Sequence, residues 1–271
     1  MTMTFNTSKC QEIFRIRFTG LSGEPFKDFK SGAAINGQVV DPSDLILYRN
    51  AKANDIIHFY YKSLLCFSEG LAACLRKNYT WATIKLYYSV YFGLRCSLLC
   101  RDIVLVRAAR HLYKFRLIAG AQYEKPDDMT DHGGAIKTYI ALFRSTDFFC
   151  SNPLEGINSY IWLKECRDIV NYRDEIFHDP DTTALWSSIN AEITARGSKN
   201  VLTDFVNCRG TYCFSPDFAI LATPFNRMLV VAQEVKNEIS ERLVTIQKEW
   251  IRGILQQNIS QEYIDILLLE D

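Results

Sequence analysis

Apolar residues recur at helical spacing through most of this chain. "DPSDLILYRN" (41–50) offers Asp41 or Ser43 as a helix cap, and "IIHFYYKSLLCFSEGLAACLRK" (56–77) carries the pattern onward. A second helix is predicted from about Thr80 to Arg101, with Ile84, Tyr87, Tyr88, Tyr91, Leu94 and Leu98 sharing one broad face. The period then shortens to two. "IVLVR" and "HLYKFRLI", flanking "AARH", predict a short β-hairpin, and "KPDDMTDHGG" reads as a loop. A third helix is expected over about 132–145. A fourth enters through Pro153 and should stop near Asp179, because the residue before Pro180 avoids the helical region.

The two ends are less regular. In the first 42 residues "IFRIRFTG" alternates like a short strand and "GEPFKDFKSG" reads as turns. After residue 180 the pattern predicts one helix near 183–195, a loop rich in Gly, Asn and Ser, and helices again from Asp217 onward. The expected architecture is mainly α. It comprises an N-terminal segment (1–42), a helical bundle with a short hairpin (43–180), and a helical extension (181–271) packing on the bundle.

Composition narrows the function classes. Lys plus Arg equals Asp plus Glu at 31 each, so a nucleic-acid partner would need a local basic patch rather than a global field. "MTMTFNTSK" lacks the charged start and apolar run of a signal peptide, and no apolar run approaches the roughly 20 residues of a membrane helix. These features predict a cytoplasmic protein with reduced thiols and no membrane partner. The nine cysteines are scattered. "CSLLC" (Cys96, Cys100) and "CRGTYC" (Cys208, Cys213) lack the histidine partners of common zinc sites, so most of the nine read as core residues; no metal or cofactor is expected.

The stretch "NYRDEIFH" (171–178) carries the most chemistry. On an ideal helix the step from Arg173 to His178 turns about 140° and rises about 7.5 Å, which offsets the two side chains. Arg is long, and His178 lies where the helix must fray, so both can reach one phosphate. The guanidinium fork matches phosphate oxygens, and imidazole can give or take a proton near neutral pH. The pair is the minimum set for metal-free RNA cleavage, in which a 2′-hydroxyl attacks the adjacent phosphate. The competing reading is two solvated polar residues on a last helical turn, where the helix dipole favours histidine.

"RDEIFH" resembles the motif of the HEPN superfamily (higher eukaryotes and prokaryotes nucleotide-binding domain): an Arg, a polar residue, a short spacer and a His at a helix end. "WATIKLYYSVYFGLRCSL" resembles its Tyr-rich second helix, and "DHGGAIKTYIALF" the His-Gly start of a following helix. The resemblance covers about 45–180. It implies a helical bundle and a metal-independent endoribonuclease, often a toxin or defence effector. Two protomers bring their Arg–His pairs into one cleft, and an antitoxin or sensor protein can be a further partner. Arg173 and His178 would carry the chemistry, and Asp174 would orient or polarise them. In the subgroup paired with a nucleotidyltransferase antitoxin, a Tyr follows the His by two residues; here Pro180 stands there, which argues against control through that tyrosine. A non-catalytic HEPN-like module binding RNA or protein, and an inhibitor subunit, remain as alternatives.

From Arg95 to Lys125 seven basic residues face two acidic ones. Arg101, Arg107, Arg110, Lys114 and Arg116, interleaved with Tyr113, Phe115 and Tyr123, are either a solvated hairpin or an RNA-backbone surface. His132 reads as a cap-region residue. Tyr87 and Tyr88 could approach the cleft, although aromatics at helical spacing are more often core.

Overall fold

The computed structural model describes residues 7–20, 35–108, 111–125 and 131–270, so "GEPFKDFKSG" and Arg110 lie outside the described residues. Among the described residues the chain is mainly helical with a short antiparallel hairpin, as the periodicity predicts, and a second small antiparallel sheet that it does not predict. Among the described residues no helix is long and apolar enough to cross a membrane. The residues group into two compact units, each discontinuous in sequence.

The first unit is Met1–Phe59 with Leu94–Leu142. It holds α1 (Lys9–Thr19), the start of α2 (Pro42–Leu75), the end of α3 (Tyr79–Cys100), strands β1 (Ile103–Ala108) and β2 (His111–Arg116), and most of α4 (Asp131–Phe143). Asp41 caps α2 by accepting from the Ser43 N–H at 2.8 Å and its hydroxyl at 2.6 Å; these bonds hold the Asp41 carboxyl below the usual carboxylate range. The strand expected at 13–20 is instead the body of α1. Ser8 accepts from the Gln11 N–H, and Asp55 accepts from the N–H groups of Lys9 and Cys10 at 2.6 and 2.8 Å. Three of the donors that open a helix are thereby satisfied. The alternation Phe14, Ile16, Phe18 misleads because only Phe14 and Phe18 share a helical face. Their rings meet at 4.9 Å, while Ile16 turns outward at 46% exposure.

The hairpin register pairs Ile103 with Arg116, Leu105 with Lys114 and Arg107 with Leu112. Val104, Val106, Tyr113 and Phe115 occupy the other face and are buried. Gln11 covers the outer edge of β1, accepting from the Arg107 N–H at 2.6 Å and donating to its carbonyl at 2.8 Å. Phe14, Tyr48, Phe115 and Tyr123 form an aromatic core.

The second unit is Tyr60–Gly93 with Phe143–Asp271. It contains the remainder of α2 and α3, strands β3 (Pro153–Leu154) and β4 (Ile157–Asn158), and helices α5 (Ser159–Asp168), α6 (Ala184–Arg196), α7 (Ser198–Asn207), α8 (Arg209–Tyr212), α9 (Ala219–Glu238), α10 (Thr245–Leu255) and α11 (Gln261–Leu267). Helix α9 is the hub. Phe225 stacks on Phe67 at 5.5 Å, and α7, α8 and α11 pack against α9. The loop expected after residue 195 is therefore largely helix: Val201, Leu202 and Phe205 give α7 an apolar face that α9 covers. Helices α2 and α3 touch at Gly70, where a Cβ would stand 2.9 Å from Leu86 Cγ and 3.2 Å from its backbone nitrogen. Trp186 on α6 is buried and donates to Thr83 Oγ1 at 3.0 Å, and the Tyr60 hydroxyl donates to the Leu267 carbonyl at 2.6 Å.

All nine cysteines are free thiols; Cys10, Cys74, Cys96, Cys166 and Cys213 are buried, in keeping with a core role, whereas Cys66, Cys100 and Cys150 are half-buried and Cys208 is exposed. Burial alone pushes the Cys74 thiol up to about 12, which keeps it neutral and unreactive at ordinary pH.

Candidate functional site

The segment bearing Arg173 and His178 grows out of α5. Asn158 caps this helix by accepting from the Tyr160 N–H at 2.9 Å, and Trp162, Leu163 and Cys166 bury its inner face. The helix expected to run from Pro153 to Asp179 is shorter at both ends. Residues 153–158 form the β3–β4 turn, and after Asp168 the coil widens into a π-helical turn over Ile169–Arg173. The Asp174 N–H donates to the Ile169 carbonyl five residues back, at 2.9 Å. Asp174 then turns extended (φ −75°, ψ 120°) and the helix ends. Single π turns inside helices recur at functional sites because they rotate side chains off the regular stripe.

Arg173 thus closes the π turn, and His178 lies in the loop beyond it rather than on a helical turn. Their mutual placement is no longer the ideal-helix offset. Arg173, Asp174 and His178 are all exposed, and their side chains make no hydrogen bond or ion pair among the described residues. An anchor follows at once. The Asp179 carboxylate accepts from the N–H groups of Tyr79 at 2.6 Å and Thr80 at 3.2 Å, capping α3. The Tyr79 ring packs on Trp186 and its hydroxyl donates to Asn190 at 2.9 Å. His178 is therefore one residue from a fixed point, on an otherwise open loop.

A second anchor lies on the near side. Arg167, on α5 and only 5% exposed, places its guanidinium 4.6 Å from the Tyr87 ring centre, 5.8 Å from Tyr88 and 5.4 Å from Tyr172. Its Nη1 pairs with Asp168 at 2.7 Å, and Lys164 holds the other Asp168 oxygen at 2.6 Å. Burial pushes the Tyr87 phenol above its ordinary value, against the opposite pull of its bond to Arg167, so Tyr87 stays protonated at neutral pH. The tyrosines of α3 reach Arg167, not Arg173. Sequence reading missed Arg167 because one more arginine on an amphipathic helix carries no local mark of burial. Exposed apolar residues surround the segment: Ile169, Tyr172 (70%), Ile176 (71%) and Phe177 (64%).

The basic hairpin belongs to the first unit. Arg107, Lys114 and Arg116 fall on one face by register, beside buried Ile103, Leu105 and Leu112, and Arg107 and Arg116 are exposed. Lys114 pairs with Glu124 at 2.9 Å, and exposed Arg101 donates to the Ser97 carbonyl at 3.1 Å. Tyr113, Phe115 and Tyr123 are buried in the aromatic core, so these three rings offer no stacking surface to a base. His132 is half-buried in the first turn of α4.

Among the described residues no group of three or more His, Cys, Asp or Glu side chains could hold a metal ion. A groove of about 780 Å³ opens elsewhere in the second unit, bounded by Phe148, Cys208, Arg209, Asn226 and Gln233; Arg173 and His178 do not line it. No family model, no curated protein and no solved structure matches this chain.

Proposed function

We propose that this chain is a metal-independent endoribonuclease of the HEPN type, acting in the cytoplasm as a toxin or defence effector and as a homodimer. The observation that carries the reading is the presentation of Arg173 and His178. Both side chains are solvent-facing, without a hydrogen-bond or ion-pair partner among the described residues, and lie in the chain between the buried Arg167 and the Asp179 anchor. His178 of one copy takes the proton from the 2′-hydroxyl as the new 2′-O–P bond forms. His178 of the second copy, protonated, gives a proton to the 5′-oxygen as the P–O bond breaks. Arg173 holds the non-bridging oxygens as charge builds on them. Asp174, adjacent and exposed, orients or polarises the pair. A two-fold axis beside the segment would supply proton acceptor and donor from identical residues, and Ile169, Ile176 and Phe177 would give that contact its apolar area. In the first unit, Arg107 and Arg116 on the hairpin and Arg101 just after α3 are exposed cations of the kind that contact RNA phosphates.

The test is expression of wild type beside His178→Ala, scored by growth and by integrity of total RNA. Wild type should arrest growth and fragment RNA, and the variant should do neither. In cleavage assays the variant should fall by about 10²–10⁴-fold, the range for loss of a positioned acid–base group. Equal toxicity and equal RNA patterns would overturn the assignment. Arg173→Lys should be nearly as damaging as Arg173→Ala, because lysine keeps the charge but loses the planar fork. Near-normal turnover of the lysine variant would reduce Arg173 to a distant charge.

A second reading, a non-catalytic HEPN-like module that binds RNA or a protein such as an antitoxin or sensor, draws on the same exposed Ile176 and Phe177. An apolar loop of this kind also suits a protein interface. It predicts binding that survives His178→Ala with no cleavage by either form.

A further inference from the structure

We infer that Tyr172 is a stacking platform for an unpaired nucleobase next to a phosphate held at Arg173. The inference rests on the ribonuclease reading above and adds a base-binding residue to the same site. The ring of Tyr172 is the neighbour of Arg173 in the chain, and consecutive Cα atoms lie only about 3.8 Å apart. Their side chains diverge by about 100° on this helical turn, so phosphate clamp and ring occupy adjoining exposed faces, which a nucleotide can bridge with its phosphate on one and its base on the other.

The ring is also built for the task. Although 70% of Tyr172 is exposed, its ring is held by a buried cation. The Arg167 guanidinium, 5.4 Å from the ring centre, is itself packed on Tyr87 and paired with Asp168. An exposed tyrosine ordinarily samples several rotamers and loses that freedom on binding. Here one contact to a fixed guanidinium orients the ring beforehand while most of its surface stays in water, so stacking costs less. Aromatic stacking tolerates any base, because every base has a π face, but it needs that face unpaired and open. Ile169 and Ile176 have no such electrostatic partner and no π face, which leaves them to a protein contact.

The test uses a single-stranded oligonucleotide about twelve nucleotides long, with 2′-fluoro sugars that cannot attack, 2-aminopurine at its centre and randomised flanks. Wild type should quench the 2-aminopurine fluorescence on binding. Tyr172→Ala should lose the quenching and bind about ten- to a hundredfold more weakly, the loss expected for one base stack. Tyr172→Phe, which keeps the ring face, should behave as wild type. The same oligonucleotide annealed to its complement should not be quenched. Equal affinity and quenching by wild type and Tyr172→Ala would overturn the platform, and so would Tyr172→Ala cutting natural RNA with unchanged KM while His178→Ala is inactive; in both cases the ribonuclease reading survives. Tyr172→Ala converting a dimer to a monomer with oligonucleotide binding unchanged would assign the ring to a protein interface and also overturn it. Quenching by a wild-type protein that cuts no RNA would keep the platform and remove the ribonuclease.

Discussion

An RNA carrying one 2′-deoxy sugar immediately 5′ of the cut should pass through this protein uncut at that position, while neighbouring sites are cleaved at the normal rate. The expected loss is complete, because the change removes the nucleophile itself rather than a group that assists it. In the reaction assigned to Arg173 and His178, the attacking oxygen belongs to the substrate. The imidazole only moves protons and the guanidinium only holds charge. The products must then end in 2′,3′-cyclic phosphate and 5′-hydroxyl, and DNA of the same sequence must remain intact. Mass analysis of the fragments reads all of this in one experiment. Normal cleavage at the deoxy position would rule out 2′-hydroxyl attack and, with it, the role given to His178. No other outcome would separate this mechanism so cleanly from hydrolysis by an activated water, which leaves the deoxy site as vulnerable as any other.

The largest stability loss is expected from Arg227→Ala, far from the motif in sequence. Arg227 on α9 is 1% exposed. Its Nη1 lies 3.2 Å from an Asp147 oxygen and its Nη2 3.5 Å from Glu234. The Tyr160 hydroxyl donates to both Asp147 oxygens, at 3.2 and 3.0 Å, and the Phe149 N–H donates to one at 2.7 Å. Removing the guanidinium takes a cationic partner from a carboxylate about as buried as Arg227 itself. Breaking one side of a buried pair costs about 3–5 kcal/mol, against a typical total stability of about 5–15 kcal/mol. Urea unfolding should show the midpoint falling sharply. Arg173→Ala, at an exposed position whose side chain has no partner among the described residues, should change the unfolding free energy by no more than about 0.5 kcal/mol. A midpoint for Arg227→Ala equal to that of wild type would mean that Asp147 finds compensation elsewhere. The contrast also protects the cleavage experiments, since loss of activity in an Arg173 variant could not then be attributed to unfolding.

Much of the architecture was legible from local pattern. Helix α3 runs over Tyr79–Cys100 where Thr80–Arg101 was expected, and the hairpin joins the two predicted runs. Both signals are short-range. A helical stripe or an alternating run declares itself within a dozen residues, and an Asp41–Pro42–Ser43 start carries its own cap. The segment at 13–20 shows where such reasoning breaks. Its alternation fits a strand as well as a helix, and the choice was made by Asp55, a carboxylate from α2 that caps α1 across 46 residues of sequence. The discontinuity of the two units leaves no composition shift or linker to read, because it arises inside α2 and α3.

The same division runs through the candidate site. The sequence by itself determined that Arg173 and His178 stand near the end of a helix and that Pro180 forbids its continuation, since both follow from residue identity and backbone sterics. Tertiary structure alone decided that the helix widens into a π turn and stops five residues early, that Arg167 rather than Arg173 enters the tyrosine cluster, and that Tyr172 meets the same guanidinium while staying exposed. The physical reason is the unsatisfied backbone of another helix. The first turn of α3 needs acceptors for its free N–H groups, and Asp179, a hundred residues later, supplies one; meeting that demand draws 174–179 off the helical path and sets His178 beside a fixed point.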